Sequence, residues 1–211
     1  MMKLDAPKLS SHLIEGVWQE PEDHSVELEN IIITNQQLDG QSFSRFRAAN
    51  VVLKGCSLQG CNIDSLDLLD VRLEHCDLSN AKLSRSSIHR VEFVNCKLVG
   101  TELTRSSIGT TQFLLSNLIL SNFGESKLEK TLFTDSLLQD ADFFNCKLKK
   151  VSYEQCKLDA VNFDGTSLKE VDMSSSEFSS LTVAIEHLKG CKVSRYQAMQ
   201  FASLLGLVIK D

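Results

Sequence analysis

Two prolines and ten glycines in 211 residues are too few for a collagen-like or low-complexity chain. The apolar content, 42%, is too high for a disordered one. No run approaches the roughly eighteen uninterrupted apolar residues that a membrane-spanning helix needs. The N-terminus has no charged-then-apolar signal segment, so a soluble, cytoplasmic protein is expected. The length fits one domain, at most two.

Catalytic and ligand-binding patterns are also missing. There is no Gly-x-Ser-x-Gly elbow, no glycine-rich phosphate loop and no paired-histidine zinc helix. His12, His24, His75, His89 and His187 are scattered without metal-ligand spacing. The seven cysteines are odd in number, contain no Cys-x-x-Cys pair and accompany no secretion signal, which argues against disulfides. The expectation is a protein that is not an enzyme and needs no cofactor or metal.

What is present is a beat of five. From Leu53 to Phe178 all twenty-six positions spaced five apart are Leu, Ile, Phe, Tyr or Met. Two residues before each centre the side chain is usually small, as at Val51, Cys56, Cys61, Val71, Cys76, Ala81, Ser86 and Ser176. A period of five fits neither the 3.6 of a helix nor the 2 of a strand. If both marked positions point inward, the chain turns a corner every five residues, which makes a solenoid of short flat sides. Six cysteines and many serines then become compact interior residues rather than chemistry.

The number of sides follows from residues that match at longer range. Phe93, Phe113, Phe133 and Tyr153 lie twenty apart, as do Phe123, Phe143 and Phe163, and Cys56, Cys76 and Cys96. Twenty residues per coil means four sides of five, with coils stacked at strand spacing, about 4.8 Å.

Three parts are expected. Residues 1–25 are irregular, hold Pro7 and Pro21, and form a lead-in or cap; residues 26–183 keep the register; residues 184–211 change to a helical pattern. Within the register the beat falters only at Ala48, where Phe46 and Ala48 exchange large for small and conserve volume. Gln36, Gln41 and Leu66 are lesser departures at the small site. Ser194 and Gln197 have capping-box spacing, Arg195 to Leu205 contains no helix breaker, and Gly206 stands where a helix ends. Leu207, Val208 and Ile209 read as a short strand or tail. An apolar end is needed because a terminal coil exposes unpaired strand edges.

The segments Cys76-Asp77-Leu78-Ser79-Asn80, Ala81-Lys82-Leu83 and Ala141-Asp142-Phe143 resemble the A(D/N)Lxx motif of the pentapeptide repeat family, over about 158 residues. That resemblance implies an all-β solenoid, a right-handed quadrilateral β-helix. The ending, Val193 to Met199 with Ala202 to Ile209, is similar to the C-terminus of quinolone-resistance (Qnr) proteins. Those relatives dimerise through their C-terminal ends and protect DNA gyrase and topoisomerase IV from quinolones, as rods resembling duplex DNA. The resemblance implies a homodimer contact through Tyr196, Met199, Phe201, Leu204, Leu205, Leu207 and Ile209. The register leaves no room for the extruded loops of Gram-negative Qnr proteins, so the chain looks more like the loop-free Gram-positive branch. A pentapeptide-repeat scaffold with a different target is the alternative.

Sorting the outward residues of positions 51–180 by side gives −3 for the side containing 51–55, and −2 each for those containing 56–60 and 61–65. The side containing 66–70 gives +3, with Lys127, Lys130, Lys147, Lys149, Lys150 and Lys169 late on it. This lysine cluster is read as a solvated face ahead of a nucleic-acid site. Val94, Leu114, Leu115 and Leu132 on one side meet Val99, Ile119, Leu120 and Leu137 on the next. This apolar corner, with Glu74, Asp77, Glu92 and Glu102 nearby, is the candidate partner surface; a corner covered by the N-terminal segment is the competing expectation.

Overall fold

The computed structural model describes residues 4–19, 21 and 23–202. Strands β1 (Ile14–Gly16), β2 (Ser25–Thr34), β3 (Ser42–Phe43), β4 (Arg45–Lys54), β5 (Asn62–Ile63), β6 (Leu66–Glu74), β7 (Ser87–Val94), β8 (Ser107–Leu114), β9 (Lys127–Thr134), β10 (Lys147–Glu154), β11 (Val161–Asn162) and β12 (Leu181–Thr182) precede a 3₁₀ turn at Ile185–Leu188 and helix α1 (Arg195–Ala202). An eight-stranded sheet runs in the order β1-β2-β4-β6-β7-β8-β9-β10, and β3-β5 and β11-β12 form separate pairs. All pairings are parallel, and from β2 onward partners lie twenty residues apart, as in Leu73 with Phe93 and Phe93 with Phe113. The four-sided coil expected from the residue matches is therefore the observed one.

We call the side of 51–55 and its twenty-residue equivalents face 1, and those of 56–60, 61–65 and 66–70 faces 2, 3 and 4. The main sheet wraps faces 4 and 1, while faces 2 and 3 are joined mostly by single bridges such as Ser57 to Asp77 and Lys82 to Glu102. Corners fall at multiples of five, where residues such as Asn50, Asp70, Asn80, Asn95 and Gly100 take positive φ. Gly, Asn and Asp reach that region at least cost. The residue before the centre sets many turns: Asp77, Asn117, Asn122 and Asp142 each accept the backbone N–H two residues on. This is the physical basis of the D/N in the motif.

Inside, every centre from Leu53 to Phe178 is buried except the half-buried Leu148, and the small sites are buried throughout. Phe93, Phe113, Phe133 and Tyr153 stack in one column with centroids 4.7–4.9 Å apart. Phe123 and Phe143 stack beside it and meet it edge-on. The exchanged Phe46 and Ala48 are both buried. The small polar residues do more than save space. Thiols of Cys76 and Cys96, and hydroxyls of Ser126 and Ser176, donate to carbonyls twenty-three residues back, on Leu53, Leu73, Leu103 and Tyr153. Each supplies a donor to an interior carbonyl of the neighbouring coil.

At the N-terminal end β1 pairs with β2 at an offset of seventeen rather than twenty. Gly16 lets β1 lie close against Ile31, whose Cδ1 would be 1.9 Å from a Cβ there and would have to move. Trp18 packs edge-on to Phe43 and stacks on Phe46. At the other end Ser194 and Gln197 form the reciprocal capping box, N–H to side-chain oxygen in both directions. Gln197 also donates to the carbonyls of Met173 and Ser176 and is only 4% exposed, which seats α1 on the last coil.

Candidate interaction surfaces

With the interior filled by packing, chemistry is left to the outside of the coil. Burial pushes the Cys146 and Cys156 thiols up to about 12, so they stay protonated and inert. No group of three or more His, Cys, Asp or Glu among the described residues could hold a metal ion. None of the described helices is long and apolar enough to cross a membrane.

The N-terminal segment lies along the corner between faces 4 and 1. The Ser10 N–H donates to Asn50 Oδ1 and the Lys8 N–H to Asp70 Oδ1, both at 2.8 Å, so alternate residues of the segment climb one coil each. Asp70 is also gripped by Arg90 through two bonds of 2.6 and 2.7 Å. The Arg90 guanidinium holds the Asp70 carboxyl below its ordinary range, with the Lys8 N–H adding to the effect. Further up, Leu4, Asp5 and Ala6 share a hollow with Glu92, Gln112 and Leu132.

That hollow changes the apolar corner. Leu132 is only 6% exposed, because it sits in the hollow the segment shares, so it does not belong to an open patch. Val94, Leu114, Val99 and Ile119 are half-buried and Leu137 is exposed. Leu115 and Leu120 are 55% and 59% exposed and have φ of 52° and 60°. A leucine in the left-handed region costs about 1–2 kcal/mol, and neither residue recovers that through burial. The corner conformation is shared with residues such as Arg85, Thr110 and Lys130, so it is the exposure of large apolar side chains that sets these two leucines apart.

The four acidic candidates differ among themselves. Glu74 is paired with Lys54 and Arg72, Glu92 with Arg72, and Asp77 with Lys97. Glu102 alone of the four has no cation within ion-pair distance among the described residues. The pairing partners lie twenty residues away or two, a relation that charge counts by side do not reveal.

At the C-terminal end Tyr196 is 69% exposed and Met199 is also exposed, while Phe201 packs on Phe178. Ile185, Leu188, Cys191, Val193, Ala198 and Phe201 line an apolar hollow of about 260 Å³ beside α1. Leu204, Leu205, Leu207 and Ile209 lie outside the described residues.

A four-faced coil with a paired inward site and an Asx-held corner every five residues defines a class, the pentapeptide-repeat proteins. The sequence profile of the pentapeptide repeat region matches twice, over residues 66–143 and 86–163, so this stretch of the chain is a pentapeptide repeat region. Among solved structures it is similar to a trypsin-treated form of QnrB1, a plasmid-mediated fluoroquinolone resistance protein, at 21% identity, covering 86% of this chain and 89% of that one, with a TM-score of 0.45. It is also similar to HetL, a pentapeptide repeat protein involved in heterocyst differentiation regulation in the cyanobacterium Nostoc, at 15% identity over 79% and 86% of the two chains, TM-score 0.25. A third is Rfr23 from the cyanobacterium Cyanothece, at 14% identity over 59% and 88%, TM-score 0.26. These likenesses concern the fold alone. No curated protein matches the sequence.

Proposed function

We propose that this chain is a non-catalytic, dimeric rod that binds DNA gyrase or topoisomerase IV and protects it from quinolones. The observation that carries the reading is the C-terminal end. Its sequence from Val193 to Ile209 is similar to that of Qnr proteins, and α1 is seated by Gln197 so that Tyr196 and Met199 face outward, free for a second copy. Leu115 and Leu120, large apolar side chains left exposed at one corner, are the contact we assign to the topoisomerase. Because Glu74, Asp77 and Glu92 are paired, shape and this apolar contact matter more than imitation of duplex charge. The same pairing favours the second reading, a scaffold for a different protein.

The test is a supercoiling assay of purified gyrase with and without ciprofloxacin. The chain should restore supercoiling in the presence of drug, and the double variant Leu115→Ser, Leu120→Ser should not, while keeping its circular dichroism. Neither rescue nor inhibition across a wide concentration range would sink the topoisomerase reading and leave the scaffold. Rescue undiminished in the double variant would remove the leucines from the contact.

A further inference from the structure

The rod pairs its charges by a rule. Nine of the eleven ion pairs among the described residues join residues twenty apart on neighbouring coils, including Arg47 with Glu27, Lys54 with Glu74, Arg90 with Asp70, Lys97 with Asp77, Arg105 with Glu125 and Lys157 with Glu177. The upper half of face 4 breaks it. Lys147 is in strand register with Lys127, Lys150 follows Lys130 by twenty, and Lys169 and Lys189 continue the column of Lys149. Lys149 and Lys127 share Glu129, but Lys130, Lys147 and Lys150 have no carboxylate within ion-pair distance among the described residues. Like charges opposite one another on adjacent strands are destabilising. Elsewhere only Arg85 and Arg105 stack this way, and Glu125 holds Arg105.

The strand ladder also stops at this place. β10 is the last strand of the main sheet, and the coil above crosses face 4 at 166–170 without forming a strand. Among the described residues no bridge joins 147–150 to the coil above, and Leu148 is the one centre between Leu53 and Phe178 left half-buried. One coil down, Ser107, Thr110, Lys127 and Lys130 border a depression of about 430 Å³. Across the corner at Asn145, Phe144 is exposed.

We propose that this face binds the phosphodiester backbone of single-stranded nucleic acid. Ammonium and hydroxyl groups are donors that phosphate oxygens take, and an exposed aromatic beside them provides a stacking platform for a base. An acidic peptide adding as a strand to β10 fits less well, because the coil at 166–170 already crosses the space above that edge. The site is independent of the topoisomerase reading and needs no topoisomerase to be tested.

The experiment is fluorescence anisotropy of the full chain with a labelled single strand of about 20 nucleotides, titrated in salt from about 50 mM upward. Binding is expected, with a log–log salt slope of about −3, since five lysines at about 0.7 each set the upper limit. The triple variant Lys130→Gln, Lys147→Gln, Lys150→Gln should bind at least about tenfold more weakly and unfold at the same or a higher temperature, because like-charge stacking is relieved. The matched triple Lys54→Gln, Lys97→Gln, Lys157→Gln removes the same charge from paired lysines and should bind within about twofold of the unmodified chain. No binding at low salt, a slope near zero, or equal loss in both triples overturns the proposal. So does tighter binding of poly-glutamate than of the oligonucleotide, which would assign the face to an acidic protein. The salt slope of the unmodified chain decides even where a variant does not fold.

Discussion

Phe113 has an aromatic neighbour above, below and beside it: stacked rings of Phe93 and Phe133 at 4.7 and 4.9 Å, and Phe123 edge-on at 6.1 Å. It is fully buried, so truncation leaves a cavity that two rigid neighbouring coils cannot close. Phe113→Ala should therefore destabilise the fold by about 3–5 kcal/mol, read from urea unfolding followed by circular dichroism. A loss under about 1 kcal/mol would mean that the column is not the cooperative unit of the rod. Which rings stack was legible in the sequence from the spacing of twenty. The hydrogen bonds of the small residues were not, because a cysteine or serine at an inward site reads only as small. The carbonyl each one meets, twenty-three residues earlier, is brought there by the coil.

Two elements close the rod, and each rests on a few polar contacts. The segment 4–13 depends on Asp70, which binds both Arg90 and the Lys8 N–H. Asp70→Ala should speed tryptic cleavage after Lys8 by about tenfold. A hydrogen bond to a charged group is worth about 1.5–3 kcal/mol, and cleavage follows the open population. Cleavage at an unchanged rate would show that β1 alone holds the segment. The pH dependence has a definite sign. The folded-state carboxyl is depressed, so its stabilisation is present above the ordinary aspartate value, about 3.9, and is lost as pH falls through the lower folded value. The protection factor of the Lys8 amide, its exchange rate taken relative to the intrinsic rate at each pH, should therefore fall in acid and hold steady through neutral pH. At the other end the capping box could be read from Ser194 and Gln197, whereas the second duty of Gln197, its bonds to Met173 and Ser176, depends on where the top coil lies beneath α1.

On the scale of the whole molecule, a solenoid has two ends, and the C-terminal one presents Tyr196, Met199 and an apolar hollow beside α1. If two copies meet there, deletion of residues 184–211 should yield a monomer or an insoluble protein by light scattering. A full-length chain that is monomeric and soluble would contradict the dimer. The outer surface divides by height as well as by face: paired charges and the N-terminal segment dominate the lower coils, exposed leucines the middle, and unpaired lysines the upper part of face 4.

The amino-acid order by itself determined the four-sided coil and its interior. A period of five with matches at twenty allows one way of turning both marked residues inward. It also located the lysines and the leucines on their faces, because outward positions follow from inward ones. Only the tertiary structure decided which of those outward residues are available. Pairing across coils neutralises Glu74, Asp77 and Glu92 but leaves Lys130, Lys147 and Lys150 unopposed. The N-terminal segment shares the hollow of Leu132 and leaves Leu115 and Leu120 bare, because an irregular segment has no period from which its path could be read.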